Sequence, residues 1–301
     1  MPSNRASHPN GMTRTNLRLH SEGVFRSCAR SIKKKANACF RDCERYPERK
    51  MPEASIYLGS GAEMPEIRDG EAALVLTSPP YFPDELEAIL GGGELLPEIL
   101  EAADAAIREF AFKLRPVFSE CNRILRPNGV LVVQTRDVRL EDRLVAVEQV
   151  HRLLIESLGL VLYTRYLWRP RHTTRTRGRQ LLAARGAGYP RAFDPEVFLV
   201  FKRPGEAPAG SPLPEDIERL ASDIATTAVG RLRKRHRFQA PVPMLESIIR
   251  CWSREGDLVV DPFAGGGTTL VVARRLGRRS AGYEISEETF VQARENLEVT
   301  L

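Results

Sequence analysis

The sequence predicts an α/β fold in which helices cover both faces of a mostly parallel sheet. Short apolar runs recur along the chain without the alternation of a half-exposed strand, and such runs are typical of strands buried in a parallel sheet. Amphipathic stretches with helical spacing separate several of these runs. Strands that alternate with helices in this way indicate a sheet whose connections pack on its two faces.

Each predicted strand is an apolar run that ends at a turn or at a polar residue. The run at 72–76 is the clearest, since its apolar residues lead directly into a proline-rich loop. The run at 130–133 follows a Pro-Asn-Gly turn, which favours a strand beginning there. In chain order, strands are expected at 56–58, 72–76, 130–133, 160–163, 197–201, 258–260 and 280–283.

The predicted helices are the amphipathic stretches between these strands. Apolar side chains recur at helical spacing through 96–125, which predicts the longest helix of the chain. Gly159 ends a second stretch, and a glycine-rich turn precedes the last one. In chain order, helices are expected at 96–125, 141–158, 215–228, 243–251 and 268–276.

Composition divides the chain into a basic N-terminal part and a larger ordered part. The chain has 301 residues, 42% of them hydrophobic, which is enough for the core of one large α/β domain. Residues 1–50 hold twelve Lys or Arg against four Asp or Glu and lack apolar periodicity. We therefore expect a basic, flexible segment at 1–50 and one folded domain at 51–301.

The cysteines and the apolar runs exclude several classes of protein. The five cysteines are an odd number at low density, and no signal peptide precedes them, so reduced thiols in a cytoplasmic protein are expected. Cys39 and Cys43 have no further metal ligands at suitable spacing, and we predict no metal site. No apolar run approaches the roughly 20 residues of a membrane-spanning helix, so no membrane partner is expected.

A glycine-rich segment, Asp-Pro-Phe-Ala-Gly-Gly-Gly-Thr-Thr at 261–269, joins a predicted strand to a predicted helix. Glycines allow the backbone to approach a ligand closely, and a helix N-terminus presents free N–H groups. The next strand ends at Glu284, where an acid accepts hydrogen bonds from ribose hydroxyls in nucleotide-binding folds. The segment has neither a P-loop lysine nor a G-x-G-x-x-G pattern. A nucleoside cofactor of the S-adenosylmethionine type fits better than a purely structural turn.

A second segment, Thr-Ser-Pro-Pro-Tyr at 77–81, also follows a predicted buried strand. The two prolines fix the backbone, so the neighbouring carbonyls point in set directions. Ser78 offers a hydroxyl, and Tyr81 offers a ring on which a base can stack. A rigid surface turn or a proline-rich ligand is the alternative, and the buried strand before the segment counts against it.

With these two segments the chain resembles the amino-methylating DNA methyltransferases. That family carries (Asp/Asn/Ser)-Pro-Pro-(Tyr/Phe) together with a Phe-x-Gly-x-Gly cofactor loop, and residues 78–81 and 263–267 have these forms. The order of the two motifs resembles the permuted beta group, and Ser78 in first place resembles its cytosine-N4 branch. The resemblance implies a Rossmann-like, S-adenosylmethionine-dependent methyltransferase fold with a circularly permuted motif order.

The resemblance also assigns candidate roles to individual residues. Ser78 and the Pro79 carbonyl would accept the hydrogens of the target amine, Pro80 would fix the loop, and Tyr81 would stack on the base. Since an exocyclic amine cannot be reached inside a duplex, the base would be flipped out. Where the family often has Gly-Asp upstream, this chain has Gly-Ser, so Ser60 is the candidate there. The candidate cofactor-binding residues are Asp261, Phe263, Ala264, Gly265, Gly267, Thr268, Glu284 and Ser60.

Two arginine-rich stretches are candidates for DNA contacts. The insertion at 164–192 contains eight arginines and no acidic residue, and a second cluster closes a short target-recognition segment at 203–235. A solvated charged face is the alternative for both. The candidate DNA-binding residues are Arg169, Arg171, Arg175, Arg177, Arg179, Arg233, Lys234 and Arg235.

The resemblance predicts double-stranded DNA as the partner and leaves several functions open. The leading one is site-specific cytosine-N4 methylation in a restriction–modification or epigenetic context, by a cytoplasmic enzyme that is nucleoid-associated when bound to DNA. A homodimer and a cognate restriction endonuclease are further partners that the family allows. Adenine-N6 methylation, methylation of an RNA amine, and a non-catalytic nucleic-acid-binding module with this fold are the alternatives.

Overall fold

The computed structural model describes residues 52–80, 97–140, 143–168, 196–208, 210–221 and 242–298. The chain divides between Lys50 and Met51, and every described residue belongs to the second unit, Met51–Leu301. Within these described ranges, no helix is both long enough and apolar enough to cross a membrane.

The strands of the described residues are β1 Ala54–Leu58, β2 Ala72–Thr77, β3 Leu125–Thr135, β4 Val138–Leu140, β5 Arg143–Val145, β6 Val161–Trp168, β7 Glu196–Lys202, β8 Leu258–Asp261 and β9 Arg279–Glu284. Seven of them form the main sheet, in the order β1-β9-β8-β2-β3-β7-β6. The five strands from β1 to β3 in this order run parallel, and β7 pairs antiparallel with both β3 and β6. The two short strands β4 and β5 form a separate antiparallel pair.

Helices pack on both faces of this sheet, which confirms the predicted fold class. The helices are α1 Pro97–Ile124, α2 Val147–Glu156, α3 Pro214–Ala221, α4 Val242–Trp252, α5 Thr268–Arg275 and α6 Glu287–Glu298. One apolar cluster joins Val75 of β2 to α1 and α2, and a second joins Leu74 and Leu76 to α4 and α5. Successive residues of a strand point to opposite faces, so a single buried strand contributes to both clusters.

Two local predictions from the sequence were wrong, and one helix was missed. The helix expected at 141–158 begins only at Val147, because residues 143–145 pair with β4 and the Asp137 carboxylate accepts the Glu148 N–H at 3.0 Å in the first helical turn. The turn expected at 127–129 lies inside β3, where the register with β2 shifts and Asn128 has a φ of 63°. Helix α6 was not anticipated, since its sequence is polar and only Ala293 and Leu297 are buried.

Ion pairs and hydrogen bonds fix the amino-terminal edge of the parallel strands. The Arg126 guanidinium donates to both carboxylate oxygens of Asp257, at 2.6 and 2.8 Å, and thereby links the start of β3 to the turn before β8. Arg203, after β7, donates to the carbonyls of Asn122 and Leu125 at 2.6 and 2.9 Å. The Arg203 contacts give a partner to the Asn122 carbonyl in the last turn of α1, where carbonyls lack one within the helix, and to the Leu125 carbonyl at the start of β3.

Candidate active site

The two segments singled out in the sequence meet at the carboxyl edge of the sheet. Strands β2 and β8 are parallel neighbours, so their carboxyl ends lie side by side. The Thr77 hydroxyl, at the end of β2, donates a 2.7 Å hydrogen bond to the Asp261 carboxylate at the end of β8. This buried bond joins residues 184 positions apart in the sequence, and it sets Ser78 beside the glycine-rich turn.

Asp261 is a buried carboxylate with several hydrogen-bond donors. Besides Thr77, the Phe263 N–H donates to it at 3.1 Å and the Thr269 side chain also donates. Burial raises the pKa of Asp261 to about 6, and the nearby charge of Glu284 acts in the same direction, although the donors oppose the shift. The group therefore changes its charge close to neutral pH.

The glycine-rich turn needs glycine for conformation and for space. Gly265 and Gly267 have φ values of +51° and +76°, in the left-handed region that residues with a Cβ rarely adopt. A Cβ on Gly267 would also lie 3.3 Å from the Ala293 Cβ of α6. The Asn296 amide, also on α6, donates to the Gly266 carbonyl at 2.9 Å. Helix α6 thus supports the turn from outside.

Glu284 at the end of β9 is held by backbone N–H groups. Its Oε2 accepts from Gly265 at 3.0 Å, and its Oε1 accepts from Ser286 at 2.8 Å. Each carboxylate oxygen can accept more than one hydrogen bond, so both keep capacity for the hydroxyls of a ligand. Beside the acid, the Ile285 side chain is 76% exposed, and such an apolar group suits contact with a flat ring.

The loop after β1 packs against the same turn. The Gly59 N–H donates to the Glu284 carbonyl at 2.9 Å, and the exposed Ser60 accepts from the Ala62 N–H at 3.2 Å. A Cβ on Gly61 would lie 2.6 Å from the Pro262 Cβ, so glycine is required for this close approach. Ser60 is therefore brought to the glycine-rich turn, and its hydroxyl already has one local partner.

The remaining candidate residues differ in their exposure. Within the proline-rich loop Ser78 is half-buried, Pro79 is buried and Pro80 is exposed. In the glycine-rich turn Ala264 is buried, whereas Phe263 and Thr268 are half-buried, and the Ala264 N–H donates to the Tyr283 carbonyl at 2.9 Å. Thr268 begins α5.

Several predicted site residues lie outside the part of the chain that the structure describes. Tyr81 is one of them, and all eight candidate DNA-binding residues are the others: Arg169, Arg171, Arg175, Arg177, Arg179, Arg233, Lys234 and Arg235. Their roles stay predictions.

Four residues of the site carried no assignment from the sequence. Thr77, Gly61, Gly282 and Ile285 each contact or border the two segments. A Cβ on Gly282 would lie 2.8 Å from both the Ala264 Cβ and a Leu270 methyl, so this glycine lets β9 pack against the turn and α5. The only sequence signal for them was position, since Thr77 and Ile285 are immediate neighbours of assigned residues.

These features fit a nucleoside cofactor. Glu284 is an oriented acceptor of the kind that suits ribose hydroxyls, Ile285 is an exposed apolar side chain, and the turn is a stretch of backbone without side chains. Asp261 places a carboxyl group beneath the turn. The donor set contains no cluster of metal-ligating side chains among the described residues.

Comparison with known proteins identifies the family. The family model for N6/N4 DNA methylases matches residues 72–295, which is more than half of the chain. The type II methyltransferase M.MthZI of Methanothermobacter thermautotrophicus is 28% identical over 262 residues, covering 76% of this chain and 72% of that enzyme. M.MjaI of Methanocaldococcus jannaschii, also a type II methyltransferase, is 28% identical over 270 residues, covering 77% and 87%.

Solved structures agree with the fold. TTHA0409 of Thermus thermophilus, solved in complex with S-adenosyl-L-methionine, superposes with a TM-score of 0.60 at 25% identity, covering 82% of this chain and 94% of that one. The cytosine-N4-specific PvuII DNA methyltransferase superposes with a TM-score of 0.64 at 19% identity, covering 82% and 87%, and this likeness concerns the fold alone. The chain therefore belongs to the N6/N4 family of DNA methylases, and it is a DNA methyltransferase that uses S-adenosylmethionine.

Proposed function

We propose that this enzyme methylates the exocyclic N4 amine of a cytosine flipped out of duplex DNA. The observation that carries the proposal is the Thr77–Asp261 hydrogen bond, because it sets the Ser78–Pro79 backbone beside the turn assigned to the cofactor. Ser in the first position of Ser-Pro-Pro-Tyr supports cytosine over adenine, since the adenine branch more often has Asp there.

On the base side, the amine must become a better nucleophile. Its lone pair is delocalised into the ring, and acceptors aimed at its two hydrogens favour the tetrahedral form and stabilise the positive charge that develops. The Ser78 hydroxyl and the Pro79 carbonyl are the acceptors, and Pro80 restricts the backbone that presents them. Tyr81 stacks on the extruded ring.

On the cofactor side, Glu284 accepts from the ribose and the Gly265–Gly267 turn lies against the rest of the nucleoside. Phe263, Ala264, Thr268 and Ser60 border the same space, with Ile285 beside the base. When bound, S-adenosylmethionine supplies a methyl group on a positively charged sulfur. The protein contributes mainly position, since in-line transfer needs close and aligned reactants.

The described cysteines take no part in this chemistry. Burial raises the pKa of Cys251 to about 11 and raises that of the fully buried Cys121 further, so neither is a thiolate near neutral pH. Because the exocyclic amine is itself the nucleophile, the methyl group passes to it directly and no covalent bond between a cysteine and the base is needed.

The arginine-rich segments and the wider context extend the proposal. Arg169–Arg179 and Arg233–Arg235, with the basic segment 1–50, supply cations for the phosphate backbone. A type II restriction–modification context follows from the names of M.MthZI and M.MjaI. A cognate endonuclease and a homodimer belong to this proposal as well.

One experiment tests the assignment of the base. The protein is incubated with plasmid DNA and S-adenosylmethionine carrying a labelled methyl group, and the digested nucleosides are identified by mass spectrometry. Labelled N4-methylcytosine is the expected product. Labelled N6-methyladenine would transfer the assignment to the adenine branch, and no incorporation despite cofactor binding would support a non-catalytic DNA-binding role.

A further inference from the structure

A hydrogen-bonded pair, the buried Gln134 and the half-buried Glu196, lies next to the proposed catalytic loop and has no role in the scheme above. The Gln134 side chain is 3% exposed, and its Nε2 donates to the Glu196 carboxylate. Gln134 is the penultimate residue of β3, and Glu196 is the first residue of the antiparallel β7, so both lie at the carboxyl edge of the parallel strands. Burial raises the pKa of Glu196, against the opposing effects of Gln134 and the charge of Arg136.

The sheet register places this pair in a row with Ser78. Leu76, Val132 and Phe198 belong to one apolar cluster, hence to one face of the sheet. Gln134 follows Val132 by two positions and Glu196 precedes Phe198 by two, so the alternation of side chains puts both on that face at the edge, and Ser78 follows directly after the last residue of β2. Thr77, the last residue of β2, pairs with Val133, so Ser78 and Gln134 each follow directly on this pair, at the ends of neighbouring strands about 4.8 Å apart.

We propose that Gln134 contacts the ring nitrogen next to the target amine, and that Glu196 is a positioning residue that orients its amide. The inference rests on the proposed function, since Ser78 is assigned to the amine itself. In cytosine the atom next to the amine-bearing carbon is N3, which accepts a hydrogen bond. An amide nitrogen carries two hydrogens, and the contact with Glu196 uses one of them.

A role limited to closing the sheet explains the pair less well. The positions beneath it on the same face, Val132 and Phe198, close the same strand pair with apolar side chains. A buried amide loses hydration that an apolar side chain would not lose, and the contact with Glu196 occupies only one of the two hydrogens on the Gln134 amide nitrogen.

The test is a double-mutant cycle in which one change is made in the protein and the other in the target base. The methylated position is first mapped on plasmid DNA, and a duplex with that site is made with cytosine or with 3-deazacytosine, which lacks N3, at the target. The kcat/KM of wild type and of Gln134→Leu is measured on both duplexes. On cytosine, Gln134→Leu should lose about tenfold or more, the value of one base contact. On 3-deazacytosine the variant and wild type should differ by less than about twofold.

Glu196→Gln and Asp257→Asn complete the experiment. Glu196→Gln keeps the shape but lets the Gln134 amide flip, so it should lose part of the same discrimination between the two duplexes, with cofactor affinity unchanged. Asp257→Asn breaks a cross-strand pair at the opposite edge, and it should leave the ratio between the duplexes as in wild type. Equal losses by Gln134→Leu on both duplexes would overturn the proposal, as would a loss of discrimination in Asp257→Asn equal to that in Glu196→Gln.

An error in the assignment of the base can be distinguished from an error in the proposed Gln134 contact. If wild type methylates adenine, the cytosine assignment is wrong whatever the variants do. The same cycle is then run with 1-deazaadenine, which lacks the ring nitrogen beside the N6 amine. If Gln134→Leu lost as much kcat/KM on 1-deazaadenine as on adenine, the proposed contact would be overturned.

Discussion

The carboxyl edge of the sheet has two halves, in which side chains are held differently. The cofactor half comprises Glu284 and the glycine-rich turn, and the base half comprises Ser78, Gln134 and Glu196. On the cofactor half, Glu284 is held by the N–H groups of Gly265 and Ser286, which are 19 and 2 positions away in the sequence. On the base half, polar groups are held by side chains from distant segments: Gln134 and Glu196 are 62 positions apart. The Glu284 carboxylate is thus held locally, with Gly59 and Gly61 as the contacts from a distant segment, whereas the base half depends on pairing between strands far apart in the sequence.

Substitution of Ser78 tests the base half most severely. Ser78→Ala removes a proposed acceptor that acts on the amine only as charge develops, so kcat should fall about 100-fold. The dissociation constant of S-adenosylmethionine, measured by calorimetry, should change less than twofold because the cofactor half is intact. A parallel loss of turnover and cofactor affinity would mean that Ser78 supports both halves.

Substitution of Gly267 tests the cofactor half. Gly267→Ala combines a left-handed φ with the close approach of Ala293, so we expect about 1–3 kcal/mol lower stability and weaker cofactor binding. Gly159→Ala is the matched control, since Gly159 has a φ of +92° but no atom within 4 Å of its added Cβ. Gly159→Ala should lower the stability of the protein without changing its affinity for the cofactor. If both variants bind the cofactor as wild type does, the turn is not part of its site.

The Thr77–Asp261 bond joins the two halves, and Thr77 can be changed almost isosterically. Thr77→Val leaves the buried carboxylate without one donor, so stability should fall by about 1–3 kcal/mol and turnover should fall more than cofactor affinity. Thr77→Ser restores the hydroxyl and should recover most of both. If Thr77→Val were as stable and as active as Thr77→Ser, the hydroxyl would have no role.

The ionisation of Asp261 predicts a specific pH dependence. Burial raises its folded-state pKa to about 6, above the value of about 3.9 in an unfolded chain. The folded chain therefore binds this proton more tightly, and the contribution of Asp261 to stability decreases as pH rises from about 4 to about 6. Thermal unfolding should show wild type losing stability relative to Asp261→Asn across that window, with a constant difference above pH 7. A flat difference from pH 4 to 7 would contradict the shift.

The smallest effect on activity is expected at the opposite edge. Asp257→Asn weakens the ion pair with the partly exposed Arg126, so stability should fall by about 1 kcal/mol. Turnover and cofactor affinity should stay within twofold of wild type, because both halves of the site lie at the other end of the strands. A tenfold loss of turnover would show that the two edges are coupled.

The contrast between the halves also explains what the sequence could predict. The glycine-rich turn and Glu284 were recognisable because their contacts are local, and the fold class followed from buried runs such as Leu74–Leu76. Thr77 and Gln134 received no role, since the partner of each becomes apparent only when strand order and register are known. Neighbouring strands such as β2 and β8 are far apart in the sequence, so their pairing cannot be inferred from local periodicity.

Local errors had a similar origin. The short strand Arg143–Val145 lies within a stretch whose amphipathic pattern also suits a helix, and pairing with β4 decides between the two. At Asn128 the sequence predicts a turn, but the residue lies inside β3, where the register of the strand pair shifts. In both cases a tertiary contact outweighs local preference.

The order of strands also governs when a nascent chain becomes competent. β1, the earliest described strand to leave the ribosome, pairs with β9, the latest, and β8 and β9 separate it from β2 in the sheet. During most of translation the loop carrying Ser78 is therefore already made while Asp261 does not yet exist. Such long-range pairing slows folding and delays it until β9 has been synthesised. A nascent chain without β9 lacks Glu284 and the strand between β1 and β8, so we expect it to be inactive until that strand has joined the sheet.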